Sequence, residues 1–528
     1  MEEDSNSLLT NLLEDAEKAK ESDVPIEISE ATPTTGEDQS QSQSQSQFPL
    51  TNETVVQEWT RGEKQPPQCR DMPYAIFFLA QFCSVAIYGT ISFSSFAQAV
   101  GSAPQGNHDD DDDGNQVLHD LSLSAIATVV TTILFLLLSF VVLTRFGKAF
   151  ITCSLWTSIA FATLLAAAAF ATGAVFVGVL CAINAVIGCC YAIAVKKRIP
   201  FAAANLNAGV SAIKVNMGVV LISLCSGLIL FVWMILWSTS LVGITGAKQV
   251  CTDKDADDNL YYGQKDQCSL DVPHSGWVFP WVFFLFWTQQ VVSNVIHTTV
   301  AGIVSTWYFV PADANGCFSP AVRDSTKRSL TSSFGSICFG SLLVAIIQLL
   351  DFIVQTLRRN GRNGDRQQGG AAALLLCCLD CILRLLQDVM EYFNKWAFIY
   401  VGVYGYDYLT AGKNVMSLFT HRGWTVVIND NLVRRALMFM SFTVAVFSAM
   451  VSLLFVHFDD KSFAGASFTS NFGIALILSF TMMSIIDSSV STVIVCFGEA
   501  PDELEANHQT HNREMREAWN EVYPMVRF

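Results

Sequence analysis

The chain contains about ten separated apolar segments, each roughly as long as the ~20 residues that an α-helix needs to cross a bilayer. The segments are Met72–Phe96, Leu121–Leu143, Ala149–Phe170, Thr172–Val195, Val215–Gly243, Trp277–Phe309, Ser332–Leu357, Trp396–Val415, Val433–Phe458 and Asn471–Phe497. Because lipid offers no partner for backbone polar groups and the apolar runs are continuous rather than alternating, they are expected to be helices. The sequence therefore predicts an all-α, polytopic transmembrane helical bundle.

The first 71 residues differ in composition from the rest of the chain. They are acidic and polar, and Gln and Ser alternate over Gln39–Gln47. Such a segment buries too little apolar surface to offset the entropy of ordering the chain. We expect a disordered cytoplasmic tail over residues 1–71, a transmembrane helical domain over residues 72–498 and a cytoplasmic C-terminal tail over residues 499–528.

Charge and motifs exclude several classes of function. The formal net charge is −16, so nucleic acid is not an expected partner. The sequence carries no HExxH, GxSxG or GxxxxGK[ST] motif, which speaks against a metalloprotease, a hydrolase of that type and a P-loop ATPase. We therefore expect no enzymatic activity, no cofactor and no metal site.

Lysines and arginines beside short loops predict the orientation of the spans. The basic clusters are Arg145 with Lys148, then Lys196, Lys197 and Arg198, and then Arg323, Lys327 and Arg328. All three are expected in the cytoplasm, which places the Asp109–Asp113 run and the loop from Cys251 to Cys268 outside. In an oxidising compartment, Cys251 and Cys268 are expected to form a disulfide.

One basic cluster conflicts with this orientation. Arg358, Arg359, Arg362 and Arg366 follow the seventh span and would lie outside. Three explanations stay open: a re-entrant Ser332–Leu357, a half-helix within Ala202–Lys214 that changes the count, or an exception to the rule. Charged residues among the leucines of Ala371–Phe393 favour a helix that lies on the membrane surface.

Polar residues within the apolar spans are the candidate binding residues, because each is costly there. Three sets recur at helical spacing and share a helix face. They are Gln290, Asn294, His297 and Tyr308, with Trp307 beside them; Tyr400, Tyr404 and Asp407; and Ser484, Asp487 and Ser491. Interhelical hydrogen bonding explains such residues as well as substrate binding does.

Two interpretations remain open for the charged and aromatic members of these sets. Asp487 lies near the middle of its span, where a carboxylate acts as a cation partner, a proton carrier or a packing group. Tyr400, Tyr404 and Asp407 suit a cage for a quaternary ammonium, which aromatic faces attract, or an interfacial aromatic belt. His297 is either a proton relay or a hydrogen-bonded packing residue.

Five sequence blocks occur together and in order along the chain. They are Arg198–Ala202, Phe286–Phe309, Gly335–Leu342, Asn394–Ala397 and Val495–Glu499. With them, the chain from Met72 onward resembles the choline transporter-like family, including its fungal members. The resemblance implies a plasma-membrane or organellar protein of about ten helices, some members of which move choline or ethanolamine-type cations.

Together these features predict a membrane transporter or facilitator embedded in lipid. Its expected substrate is choline or a related small organic cation, moved without ATP hydrolysis, and its expected location is the plasma membrane. The alternatives are a non-transporting membrane scaffold, whose polar residues only hold helices together, and a transporter of a different small solute.

Overall fold

The computed structural model describes residues 62–101, 110–246, 248–252, 267–271, 275–363, 370–422, 432–454 and 461–522. Most of the predicted N-terminal disordered tail, residues 1–61, lies outside this part. The elements are α1 (Met72–Gly101), α2 (Asp110–Ala171), α3 (Val175–Val195), α4 (Ile199–Val215), α5 (Gly218–Thr245), β1 (Lys248–Thr252), β2 (Gln267–Asp271), α6 (Val278–Phe309), α7 (Pro320–Leu330), α8 (Phe334–Asn363), α9 (Gly370–Tyr404), α10 (Tyr408–His421), α11 (Leu432–Ser452), α12 (Lys461–Glu499), α13 (Pro501–Asn507) and α14 (Gln509–Val522).

The prediction of a multi-pass helical bundle is confirmed. Within the described residues, seven helical segments are long and apolar enough to cross a membrane: Met72–Phe93, Ser122–Ala171, Val175–Val215, Gly218–Thr245, Phe334–Arg359, Leu432–Ser452 and Ser467–Glu499. The predicted sixth span, now α6, falls outside that set because a polar stripe runs along it. Half of its residues are buried by neighbouring helices, so α6 is a central helix that faces protein rather than lipid.

The predicted second and third spans form the two arms of α2, which is kinked at Phe146 (φ −132°, ψ 31°). The rings of Phe135 and Phe161, one on each arm, lie 6.3 and 6.0 Å from those of Phe447 and Phe442 on α11. In a straight helix Phe135 and Phe161 would be about 39 Å apart, whereas their two partners are separated by only about 8 Å of helix. The kink therefore folds the arms back on each other, as the predicted tight turn requires.

The predicted span Trp396–Val415 is wrong. The helix that contains Trp396 is α9, which ends at Tyr404. Gly405 then adopts a left-handed conformation (φ +81°), and Asp407 caps the first turn of α10 by accepting a hydrogen bond from the Thr410 N–H. A glycine with positive φ and a new N-cap both end a helix, so the apolar run is divided between two helices.

The predicted surface helix Ala371–Phe393 is not a separate element either, because it is the first part of α9. This 35-residue helix is about 52 Å long and exceeds the ~30 Å hydrocarbon core. Its first turns carry no charge, and its charged residues begin only at Asp380. Asp380 is paired there with Arg384, at 3.3 Å, and with Arg358 of α8, at 3.7 Å.

The continuous α8 also removes the re-entrant explanation for the arginine cluster. Phe352 near its C-terminal end contacts Phe279 at the start of α6, with ring centroids 6.3 Å apart. Arg358 therefore lies at the same end of the bundle as the start of α6. Under the predicted orientation the cluster remains an exception to the charge rule, and its Arg358 has a carboxylate partner in Asp380.

The half-helix that the sequence left open exists as α4, but it does not change the number of crossings. Phe201 near its start packs on Trp519 of α14, with centroids 5.1 Å apart, and Lys214 near its end lines a cavity with Arg145 and Lys148 of the α2 turn. Phe201 and Trp519 also lie at the C-terminal end of α12, because the ring of Phe497 is 5.3 Å from that of Trp519. Both ends of α4 therefore lie at one face of the bundle.

The loop between α5 and α6 contains a two-stranded antiparallel sheet, in which Cys251 is directly opposite Cys268. Directly opposed residues of an antiparallel pair place their Cβ atoms about 4.5–5.5 Å apart, close to the spacing that a disulfide needs. The disulfide stays a prediction, and this backbone register supports it.

Both predicted tails contribute ordered residues to the bundle. The Gln65 N–H donates to the Tyr404 carbonyl at 2.7 Å, and Arg70 is 3.4 Å from Asp407. The last ten residues of the predicted N-terminal tail are therefore not disordered, because they bind the turn between α9 and α10. In the C-terminal segment, α13 and α14 pack on the bundle through the fully buried Trp519.

Candidate functional site

A polar cavity of about 240 Å³ lies between α6, α9, α11 and α12. Its lining residues are Gln290, Ser293, Asn294 and His297 of α6, Glu391, Asn394 and Lys395 of α9, Arg434 of α11, and Ser484, Asp487 and Ser488 of α12. Five of the binding residues predicted from the sequence, Gln290, Asn294, His297, Ser484 and Asp487, meet here. The cavity also contains cationic residues that the sequence did not single out.

An ion pair between Lys395 and Asp487 forms the centre of the cavity. The Lys395 Nζ lies 3.2 Å from the Asp487 Oδ1, and the two side chains are 16% and 21% exposed. The Lys395 ammonium also sits 5.4 Å from the centre of the Trp396 ring, within the range of a cation–π contact. The carboxylate therefore has a cationic partner, while both groups still border open space.

His297 is held by hydrogen bonds at both ring nitrogens. Its Nε2 is 2.8 Å from the Lys395 carbonyl oxygen, and its Nδ1 is 2.6 Å from the Ser488 hydroxyl. A carbonyl can only accept, so Nε2 carries the hydrogen and Nδ1 accepts from Ser488 in the neutral ring. The geometry favours the packing interpretation of His297, which joins α6, α9 and α12 directly behind the ion pair.

The amides that line the cavity are fixed from the side away from it. Asn294 donates to the Ser341 hydroxyl at 2.9 Å. Asn394 donates to the Gly340 carbonyl at 3.1 Å and accepts from the Tyr408 hydroxyl. Of the two α12 serines in the lining, Ser484 donates to the Thr481 carbonyl of its own helix at 2.7 Å, whereas Ser488 donates to His297 of α6. The polar wall is therefore preorganised.

Two further cavities adjoin the first at Asp487 and Arg434, which line all three. One, of about 290 Å³, has a lining of which half the residues are apolar, such as Leu230 and Phe480. The other, of only about 20 Å³, extends towards α4, where Asn205 accepts a hydrogen bond from the Trp519 indole at 3.4 Å. The connected space is thus wide on one side of Asp487 and nearly closed on the side of α4 and α14.

The remaining members of the predicted α6 stripe lie elsewhere. The Trp307 ring stacks on His508, with centroids 3.9 Å apart, and the Tyr308 hydroxyl donates to the Ala500 carbonyl at 2.9 Å. Both contacts attach the C-terminal segment to the C-terminal end of α6. Neither residue belongs to the lining of the polar cavity.

The predicted set of Tyr400, Tyr404 and Asp407 is divided by the end of α9. Both tyrosine hydroxyls donate to the carboxylate of Glu499, which is 6% exposed. Asp407 caps α10 and pairs with Arg70. The three residues were predicted to share a helix face, but the helix ends before Gly405. None of the three belongs to the lining described for the polar cavity.

Sequence reasoning missed the cationic half of the site, Lys395 and Arg434. The predicted span begins at Trp396, which leaves Lys395 outside it, and Arg434 is only one residue inside the predicted start of its span at Val433. The signal that would have identified Lys395 is the helix break at Gly405. If the predicted span ends at Gly405, it must begin further towards the N-terminus and then includes Lys395. An unpaired lysine inside such a helix is costly.

Comparisons with known proteins agree with this architecture. The family described as plasma-membrane choline transporter matches residues 179–502, more than half of the chain. A CTL-like protein of Dictyostelium discoideum is 28% identical over 468 residues, covering 86% of this chain and 77% of that protein. Protein PNS1 of Saccharomyces cerevisiae is 27% identical over 475 residues, covering 86% and 84%. Protein PNS1 of Eremothecium gossypii is 31% identical over 334 residues, covering 62% of this chain and 59% of that protein.

Proposed function

The chain belongs to the choline transporter family, and on that premise we propose that it moves choline or a related small organic cation across the plasma membrane. The polar cavity at Asp487 is the proposed binding site, and no ATP hydrolysis is involved. The observation that supports this assignment is the Lys395–Asp487 ion pair, because it borders a cavity instead of being packed on all sides.

In the proposed mechanism the substrate ammonium takes the place of the Lys395 ammonium at Asp487. Removing one partner of a buried ion pair is strongly unfavourable, on the order of 3–5 kcal/mol, because it leaves an uncompensated charge. Replacing one cation by another avoids that penalty. Because of this exchange, the intramembrane carboxylate can bind and release the substrate cation and always has a cationic partner.

The displaced lysine has a second carboxylate within reach. Glu391 lies four residues before Lys395 on α9 and lines the same cavity. A Glu four residues before a Lys is the favoured order for a pair on one helix face. In the structure Glu391 accepts a hydrogen bond from Gln387 at 2.8 Å. Lys395 is thus proposed to alternate between Asp487 when the site is empty and Glu391 when it is filled.

The test is counterflow of labelled choline into liposomes that contain the purified protein. The wild-type protein should accumulate label, and Asp487→Asn should reduce the rate at least about tenfold, since ~1.4 kcal/mol of lost charge pairing already has that effect. The matched control is Asp324→Asn, which removes an exposed carboxylate of α7 and should leave the rate unchanged. A wild-type protein that moves no labelled cation under any gradient would support the scaffold alternative.

Arg434 favours a second candidate substrate, a zwitterion. It faces all three cavities together with Asp487, so a methylated ammonium at Asp487 and a carboxylate at Arg434 would both be neutralised. Competition by betaine against labelled choline tests this directly. If betaine inhibits the uptake of labelled choline in the wild-type protein but not in Arg434→Gln, the site accepts a zwitterion. If only unlabelled choline inhibits, the substrate is restricted to cations.

A further inference from the structure

A cavity of about 860 Å³ near the predicted inner face lies apart from the proposed transport site. It is formed where the α2 turn, the C-terminal end of α4 and the helix α14 meet. Its lining residues are Thr144, Arg145, Phe146, Gly147, Lys148, Ala149, Thr152, Cys153, Asn207, Val210, Ser211, Lys214, His511 and Glu514. Three separate segments of the chain thus converge on one space.

The charge of this cavity is mainly positive. Arg145, Lys148 and Lys214 line it, whereas Glu514 is its one acidic lining residue among the residues that the structure describes. Within the described ranges of the chain, no carboxylate lies within ion-pair distance of these three cations. Burial lowers the pKa of His511, so this ring contributes a neutral hydrogen-bonding group instead of a further cation.

The position of the cavity favours a ligand that arrives from the bilayer. The Phe146 side chain at the α2 kink is 60% exposed, and the apolar arms of α2 lead away from it. The cavity therefore has basic lining residues and an apolar edge. A tendency of lysines and arginines to accumulate on the cytoplasmic side explains their presence near a turn, but not their convergence from two segments on a single cavity.

We propose that this cavity binds the phosphate-bearing headgroup of an anionic phospholipid of the inner leaflet. Arg145, Lys148 and Lys214 would neutralise the phosphate oxygens, and the Ser211 hydroxyl would offer a further donor. Basic pockets between transmembrane helices are a recurrent means of holding such headgroups. The proposal goes beyond transport, because it concerns a ligand that remains bound at a separate site.

The test uses the full-length purified protein and short-chain phosphatidylinositol 4-phosphate, with phosphatidylcholine of the same chain length as the neutral lipid. Binding is followed by native mass spectrometry. The variant Arg145→Gln/Lys148→Gln/Lys214→Gln should bind the anionic lipid at least about tenfold more weakly than wild type. Each single Gln variant is measured as well, so that a triple variant that fails to fold leaves the proposal testable.

The matched control is Lys196→Gln/Lys197→Gln/Arg198→Gln, which removes three positive charges from the same face but from outside the cavity. It should retain wild-type binding. Equal losses in both triple variants would mean attraction to the whole face and would overturn the proposal. Inorganic phosphate or inositol phosphate that competes as well as the lipid does would overturn the assignment to a phospholipid and leave a soluble phosphate as the ligand.

Discussion

Two carboxylates of α12, Asp487 and Glu499, lie about 18 Å apart along the same helix and have opposite surroundings. Asp487 pairs with a lysine on a flexible side chain and borders three connected cavities. Glu499 accepts hydrogen bonds from Tyr400 and Tyr404 and is almost completely buried. A carboxylate with an exchangeable partner and open space is suited to binding, whereas one held by two fixed hydroxyls is suited to holding helices together.

This comparison predicts that Lys395→Met is more destabilising than Glu499→Gln or Tyr404→Phe. It leaves Asp487 charged without its lysine, and we expect a loss of about 3 kcal/mol in the free energy of unfolding, the low end for such pairs because Arg434 lines the same cavity. Chemical denaturation in detergent measures the change. The double variant Lys395→Met/Asp487→Asn should recover most of the loss. Equal stability of single and double variants would show that the pair is not coupled.

A smaller effect is expected at the buried carboxylate. Glu499→Gln keeps the size of the side chain but replaces charge-assisted hydrogen bonds from Tyr400 and Tyr404 by neutral ones, which are roughly half as strong. We expect about 2 kcal/mol of destabilisation, with choline uptake by the folded fraction unchanged. Loss of uptake at full stability would place Glu499 in the transport path and would cancel the contrast with Asp487.

The smallest effect is expected for Tyr404→Phe. The substitution removes one hydroxyl donor while the aromatic ring remains, so stability should fall by about 1 kcal/mol. Uptake of quaternary and of primary amines should be equally unaffected. The companion variant Tyr404→Leu removes the ring, so a selective loss of quaternary amine uptake in Tyr404→Leu would restore the cation–π cage hypothesis.

The sequence predicted the bundle well because long apolar runs determine membrane helices regardless of their neighbours. It also singled out Asp487, Asn294 and His297, which line one cavity, since polar residues inside such runs are rare. It failed where the apolar run continues across a backbone break: Gly405 ends α9, and hydropathy does not change there. That one misplaced boundary joined Tyr400 and Tyr404 to Asp407.

The same boundary hid Lys395 from the predicted site. Pairing across helices is a second feature that a single sequence does not reveal. Nothing in the spacing of α12 indicates that Asp487 faces α9, or that Glu499 faces the tyrosines of that helix, because both contacts depend on how the helices are packed.

The measurement that tests the exchangeable ion pair most directly is equilibrium binding of labelled choline to purified Asp487→Asn and Glu499→Gln proteins of matched folded fraction. The account predicts that Asp487→Asn binds choline at least about tenfold more weakly than wild type, with Glu499→Gln unchanged. Wild-type affinity in the Asp487→Asn protein would contradict it.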